Sequence, residues 1–579
     1  MRSPGGIRVD PEAGEATPLR GGRGAGGEHC GAPVFLRDFR AAERFKLKIT
    51  VPPAMLRVLL LIGSVLLPAA VLSAGEPLRA VIDREIAAGW AKHGITPAPP
   101  SGDAGFLRRV TLDLVGTVPT ADEAAAFLAD RDPDKRSKAI DRLLADRRFA
   151  AAQADVWDVV LFGRRPGNAS DTRSRPAFKA WLTRQFAEGT PYDRMVRELI
   201  LAEQPGSEMF LVQFRNAPEE AAVHVSRIFL GMQLQCARCH DHPYDVWSQR
   251  DFYGVAGFFV RLVVQETGSG KSRMFSIGEK STGDVLFSGA AKDQAPGRKG
   301  EPVKPRFLGG AELAEPPLPK DFREPTVRKD ARLPPPVFSR KRRFAEWLGS
   351  ADNPYLARAA VNRVWAQFMG RGLVHPVDDL REDNPASHPE LLAAMAEDFR
   401  ASGFDLKRLV REIVNSKAYQ LAGMGPPADA LPPHFQRARV RPLSAEEMVA
   451  AMRTATGHHD PKAAEGGVGE YFLRYYGEPT NGLGDFQGSL GEHLFANNGE
   501  HVRRFVRRGK GNLADRLLTS DEPWERRVDR MFLAVLGRPP DPQERDRFAA
   551  YIRDDPKPEA RLEDAIWVLL NGSEFRFNH

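Results

Sequence analysis

The sequence predicts a mainly α-helical protein: two helical domains with a small β insert and a Pro/Gly-rich linker between them. Three observations predict it. Apolar residues recur at helical spacing over most of residues 75–262 and again over 340–579. Capping signals open many of these runs, as in Thr120-Ala121-Asp122-Glu123 and Leu443-Ser444-Ala445-Glu446-Glu447. Residues 263–339 change character, to short β-type runs and then to Lys, Gly and Pro as far as Pro334-Pro335-Pro336. At 579 residues the chain calls for more than one core.

Composition excludes more than it selects. The formal charge is +7; residues 1–74 hold ten Lys/Arg and six Asp/Glu, or +4, which leaves +3 for Gly75–His579. So small a balance gives no reason to expect a nucleic-acid partner. The basic runs Arg340-Lys341-Arg342-Arg343 and Arg503–Arg508 read as solvated helix faces, and Asp378-Asp379 with Glu382-Asp383 as a solvated loop. No Walker loop, dinucleotide fingerprint, nucleophile elbow or His-Glu-x-x-His occurs.

In chain order, residues 1–54 are rich in Gly, Arg and Pro and read as a disordered or non-translated upstream segment. Met55-Leu56-Arg57, the apolar run Val58–Leu72 and Ser73-Ala74-Gly75 make residues 55–74 a signal peptide, with Met55 as the start. The run is short and broken by Pro68, so the membrane matters only through export to the periplasm, cell surface or medium. Residues 75–262 form the first helical domain. There Thr190-Pro191-Tyr192-Asp193 reads as a cap, Asn216 with Pro218-Glu219-Glu220 as a second, and Ser248-Gln249-Arg250-Asp251 as a capping box. Within 263–339, Met274–Ile277 and Val285–Phe287 read as a hairpin. In 340–579, Val361, Val364, Trp365 and Phe368 share a helix face that Gly370 closes, and Ser387-His388-Pro389-Glu390 reads as another capping box. Gly466–Glu500 reads as a long packed loop, and Ile566, Leu569 and Leu570 face a core.

The chemistry is concentrated in Cys236-Ala237-Arg238-Cys239-His240-Asp241-His242-Pro243, in a chain whose one other cysteine is Cys30. It lies between the apolar stripe Ala221, Val225, Ile228, Phe229, Met232 and the helix opening at Ser248. Cys-x-x-Cys-His is the attachment pattern of a c-type haem: two thiols three apart form thioethers with the vinyl groups, and the adjacent imidazole ligates iron. Cys236, Cys239, His240 and His242 also supply four donors suited to zinc. A disulfide is the third reading.

Further blocks complete the reading. They are Phe106-Leu107-Arg108-Arg109 with Leu112-Asp113-Leu114-Val115-Gly116, Ile140–Leu144, Phe229-Leu230-Gly231, and Trp247 after the cysteines. Farther on come Asn353-Pro354, Val361-Asn362-Arg363-Val364-Trp365, Gly370-Arg371-Gly372-Leu373-Val374, Ser387–Leu392 and the closing Glu574-Phe575 and Asn578-His579. With these blocks the chain resembles the planctomycete-type exported cytochrome-like proteins. Those pair an N-terminal cytochrome-like domain of unknown function with a C-terminal domain of unknown function. The resemblance covers nearly all of Gly75–His579 and implies a helical, exported protein of unestablished activity. Many relatives carry an additional N-terminal cytochrome-c-like domain with its own haem motif; this chain shows a single Cys-x-x-Cys-His.

The leading functional expectation is therefore a redox or electron-transfer protein working with a redox partner, with haem c on Cys236 and Cys239 and His240 as the proximal ligand. Met232, His224, His375 and His388 are candidates for the distal position. The alternatives are a zinc-type centre, structural or hydrolytic, and a binding or scaffold protein with a Cys236–Cys239 disulfide. Asp241, Asp245 and Asp251 are candidate acceptors for the histidines. Phe229, Met232, Phe252 and Phe259 are candidates for an apolar wall.

Overall fold

Several helices of the N-terminal region start at a side-chain oxygen or a proline: Thr120, Asp146 and Ser248 each accept a first-turn N–H, and Pro176 and Pro218 open two more. The structure, a computed structural model, describes residues 76–163, 175–268, 273–287, 300–327, 331–425, 431–458, 472, 494–495 and 497–579. These all fall in one compact unit, Leu72–His579. The upstream segment, the signal peptide and most of Gly466–Glu500 lie outside the described residues. The order opens α1 Leu78–His93, α2 Asp103–Val115, α3 Ala121–Ala129, α4 Lys135–Ala145, α5 Arg147–Phe162, α6 Pro176–Glu188, α7 Tyr192–Leu201 and α8 Met209–Val212. It continues with α9 Pro218–Val225, a π-helical turn Ser226–Leu230, a 3₁₀ turn Leu234–Arg238 and α10 Gln249–Ala256. The boxes at Thr120/Glu123 and Ser248/Asp251 form as expected. Two caps differ. Pro191 occupies the cap of α7, and a proline side chain has no acceptor. Asn216 turns the chain through φ 57° ahead of Ala217 instead of capping α9.

The β insert pairs differently from the expected hairpin. β1 Leu262–Thr267 and β2 Met274–Glu279 form an antiparallel pair with Val264 opposite Ile277. The two residues of β3, Val285–Leu286, pair instead with β4 Pro302–Val303. The strand Leu262–Thr267, with the β-branched Val263, Val264 and Thr267, offers β2 a partner of equal length, which the short Val285–Phe287 run does not. The basic run at Arg340 is also not a solvated face throughout. Arg340 is buried, donates to Glu315 at 2.5 Å and Asp284 at 2.6 Å, and Lys341 Nζ donates to the Leu201 carbonyl at 2.6 Å. Arg342 and Arg343 stay exposed.

The rest is helical: α11 Arg340–Leu348, α12 Leu356–Met369, α13 Pro389–Ala401, α14 Leu406–Asn415, α15 Ala445–Thr456, α16 Glu500–Val506, α17 Leu513–Leu518, α18 Trp524–Leu536, α19 Pro542–Arg553, α20 Pro558–Asn571 and α21 Ser573–Arg576. Gly370 ends α12 at φ 85°, and Ser444/Glu447 box α15. α13 starts at Pro389 with His388 as its cap; Ser387 is one residue too early, and its hydroxyl lies 3.1 Å from His388 Nδ1. Early helices pack on late ones: α1 on α13, α4 on α14, α7 on α11, and the π turn on α12. One apolar cluster accordingly runs from Leu78 to Phe435, with Phe229, Trp181 and Trp365 fully buried in it. A second joins α15–α21 to Leu112 and Val118. Burying each such aromatic contributes about 2–3 kcal/mol. The Asp113 carboxylate binds the clusters together. It accepts from Tyr419 Oη at 2.7 Å, Arg441 at 2.8 Å and Asn578 at 2.8 Å, where β5 Arg441–Pro442 pairs with β6 Phe577–Asn578.

Candidate functional site

The cysteine loop leaves the helical stack at Gly231. The π turn adds one residue to α9, so that Met232 N–H reaches back to the Ser226 carbonyl at 3.0 Å, and Gly231 then turns out through φ 69°. Leu234 and Ala237 face the core, which directs Cys236 and Cys239 outward from the 3₁₀ turn. Both are free thiols and both are exposed. His240 follows them, also exposed. Its Nδ1 lies 2.7 Å from the carbonyl oxygen of Asp241, an acceptor, so Nδ1 carries a proton and the neutral form of the ring has its lone pair on Nε2. Nε2 has no hydrogen-bond partner among the described residues.

The exit side of the loop is tied to α10. Asp241 Oδ1 accepts from the Gln249 amide at 2.9 Å, and Gln249 Nε2 and Tyr253 Oη both donate to the Arg238 carbonyl at 3.2 Å. The backbone N–H of His242 donates to the Trp247 carbonyl at 2.8 Å. Asp245 caps the Val246 amide and Asp251 serves the box at Ser248. The support that His240 receives is main-chain, from Asp241, a role the sequence reading had given to carboxylates. Tyr244 and Val246, 69% and 75% exposed, leave an apolar surface within seven residues of Cys239.

The remaining candidates are spread through the fold. His242 Nδ1 accepts from the Tyr244 amide at 3.3 Å. Among the described residues no three or more His, Cys, Asp or Glu side chains converge so as to hold a metal ion. His224 is engaged with the Leu161 carbonyl, and His388 is buried against Phe435 beside Gly89. His375 precedes a cis peptide bond to Pro376. Met232, Phe229, Phe252 and Phe259 are core residues, not the lining of an open wall. A cavity of about 20 Å³ lined by Phe149, Trp157, Val364 and Val410 has room for a water only and includes none of these residues.

Sequence reasoning missed Asp378. In place of a solvated loop, this carboxylate is buried, accepts from Gln233 Nε2 at 3.2 Å and lies 3.7 Å from Arg227. Its signal was the apolar Leu373-Val374 and Val377 on its N-terminal side.

Residues 81–263 match the family PSCyt2, described as a protein of unknown function (DUF1549), and residues 340–482 match PSD1, described as a protein of unknown function (DUF1553). The chain carries a PSCyt2 region followed by a PSD1 region. The cysteine loop belongs to its PSCyt2 region, whose family name is cytochrome-like, and Asp378 to its PSD1 region. Neither description assigns the pair an activity. No curated protein and no solved structure matches this PSCyt2–PSD1 chain. No helix among its described residues is long and apolar enough to cross a membrane.

Proposed function

We propose that the PSCyt2 region carries a c-type haem on Cys236 and Cys239, with His240 as iron ligand, and that the protein is an exported electron-transfer protein serving a redox partner. The observation that carries this reading is the state of His240. An imidazole whose Nδ1 proton is held by a main-chain carbonyl has its Nε2 lone pair oriented for a metal, the arrangement that ligating histidines require. Two free, exposed thiols on the preceding turn supply the covalent attachment points. In attachment each thiol adds across one vinyl group, its sulfur bonding to one carbon and its hydrogen going to the other. The exposed Tyr244 and Val246 provide apolar surface for a haem face. When bound, the group supplies a reversible one-electron iron couple. Cys236 and Cys239 hold it to the chain, and His240 fixes its orientation.

The test uses protein exported from a start at Met55 by a host with cytochrome c maturation, processed near Ala74. After denaturation and acid extraction, thioether-linked haem stays with the chain. Cys236→Ser with Cys239→Ser removes the retained absorbance, and His240→Ala alters the ligation spectrum. Wild-type protein that emerges without covalent haem overturns the reading. Stoichiometric zinc in such protein points to the metal alternative, and a Cys236–Cys239 disulfide in metal-free protein to the scaffold alternative.

A further inference from the structure

The loop between α12 and α13 is built as tightly as a piece of core. Asn362, on α12, donates to the carbonyls of Val374 at 2.9 Å and Val377 at 3.0 Å and accepts from the Val374 amide at 2.9 Å. Gly372 is needed there, because a Cβ would lie 2.2 Å from the Val374 oxygen. Farther on, Asn384 Nδ2 donates to the Asp379 carbonyl at 2.9 Å. So fixed a loop serves as an anchor for whatever touches it.

It touches the cysteine loop on both sides. On the entry side the Leu380 amide donates to the Gly231 carbonyl at 2.9 Å, and the Leu380 side chain fills the space over Gly231. Asp378 accepts from Gln233, three residues before Cys236. On the exit side the Arg381 guanidinium lies over the Tyr244 ring, 5.6 Å from its centroid, and is itself held by Asp379 at 3.1 Å and Asp383 at 3.3 Å. Cys236, Cys239 and His240 lie between these fastenings, on a turn whose other ties run to α10 at Arg238 and Asp241. Gln233 and Tyr244 are exposed, so neither bond is a by-product of burying those side chains.

We propose that the PSD1 loop Val377–Arg381 is the positioning element of the Cys236–His240 site, Asp378 fixing its entry side through Gln233 and Arg381 its exit side through Tyr244. The site then belongs to both regions of the chain, and Asp378 and Arg381 are positioning residues that act on the thiols and imidazole through the loop. The spectroscopic arm of the test rests on the haem reading; the exchange arm does not.

The test compares the full chain with Gln233→Ala, Asp378→Asn and Arg381→Ala. In protein made without haem maturation, amide hydrogen exchange is followed over residues 232–247. Gln233→Ala removes an exposed side chain and leaves Asp378 with Arg227, so its thermal midpoint stays at the wild-type value. Its exchange at Leu234–His240 rises about tenfold, the worth of one charge-assisted hydrogen bond. Arg381→Ala does the same at Tyr244–Trp247, and Arg381→Lys restores part of the protection. In matured protein, haem is retained in all three variants while the ligation spectrum shifts. Exchange that is unchanged in both Gln233→Ala and Arg381→Ala overturns the proposal. Wild-type protein lacking haem overturns the haem reading alone, and the exchange arm still decides this one.

Discussion

His224 is hydrogen-bonded through Nε2 to the main-chain oxygen of Leu161 at 2.8 Å, with the rings of Phe210 and Phe214 beside it. Burial first, and then the Arg227 and Arg363 charges, push this imidazole down to about 4, against the smaller upward pull of the Leu161 bond. A group depressed on folding stabilises the protein fully above its unfolded value near 6.5 and loses that stability as the pH falls toward 4. Urea unfolding should therefore weaken across that window, by on the order of 3 kcal/mol from His224. His388, also held down to about 4 by burial and by the neighbouring His434 and His93, adds in the same direction. His224→Gln should flatten the profile between pH 6.5 and 4. An unchanged slope in that variant would show that His224 titrates normally in the fold.

Gly231→Ala should be among the most damaging single changes near the cysteines. The φ of 69° opposes any L side chain, and the new methyl would lie 2.3 Å from Leu380 Cδ1. Backbone strain and overpacking together cost roughly 2–5 kcal/mol. Gly94→Ala shares the conformation, at φ 63°, but meets nothing within 4 Å. It should cost about 1–2 kcal/mol, the strain alone. Denaturant midpoints that fall equally in the two variants would rule out the Leu380 contact as the difference.

Asn362→Leu keeps the volume and removes three hydrogen bonds. Two carbonyls and one amide of the loop lose their partner in a buried site, at about 1–3 kcal/mol each. A loss of at least roughly 3 kcal/mol is expected in urea unfolding. Loss below about 1 kcal/mol would mean the loop finds other partners.

Trypsin should cut the folded chain early after Lys320, in an exposed stretch with no helix or strand. The two fragments should still co-elute on size exclusion, because one apolar cluster includes residues on both sides of the cut. Fragments that separate without denaturant would contradict a shared core.

Much of the local structure was readable because its causes are local. The boxes at Thr120, Ser248 and Ser444, the glycine ends of helices and the exposed Cys-x-x-Cys-His turn depend on residues within a few positions of each other. What the sequence did not disclose depends on partners far away in the chain. Arg340 looks like any surface arginine until Asp284 and Glu315 are placed beside it, and Asp378 like any loop carboxylate until Gln233 is. The β pairing failed for a related reason: Val285–Phe287 has strand character, but register is chosen by competition, and Leu262–Thr267 is the better partner for Met274–Glu279. His388 reads as a capping turn, yet the ring is buried against α1, where a Cβ on Gly89 would lie 2.5 Å from its Nε2.

The outward setting of Cys236 and Cys239 bears on the order of events in the life of the chain. Sulfurs enclosed in a core can be modified only while the chain is still open, which makes folding wait on chemistry. Here the turn that carries them is supported from beneath by Leu234 and Ala237 and leaves the sulfurs accessible in the finished fold. If the proposed haem is attached here, packing does not have to wait for it, and a chain without the group is still a folded protein.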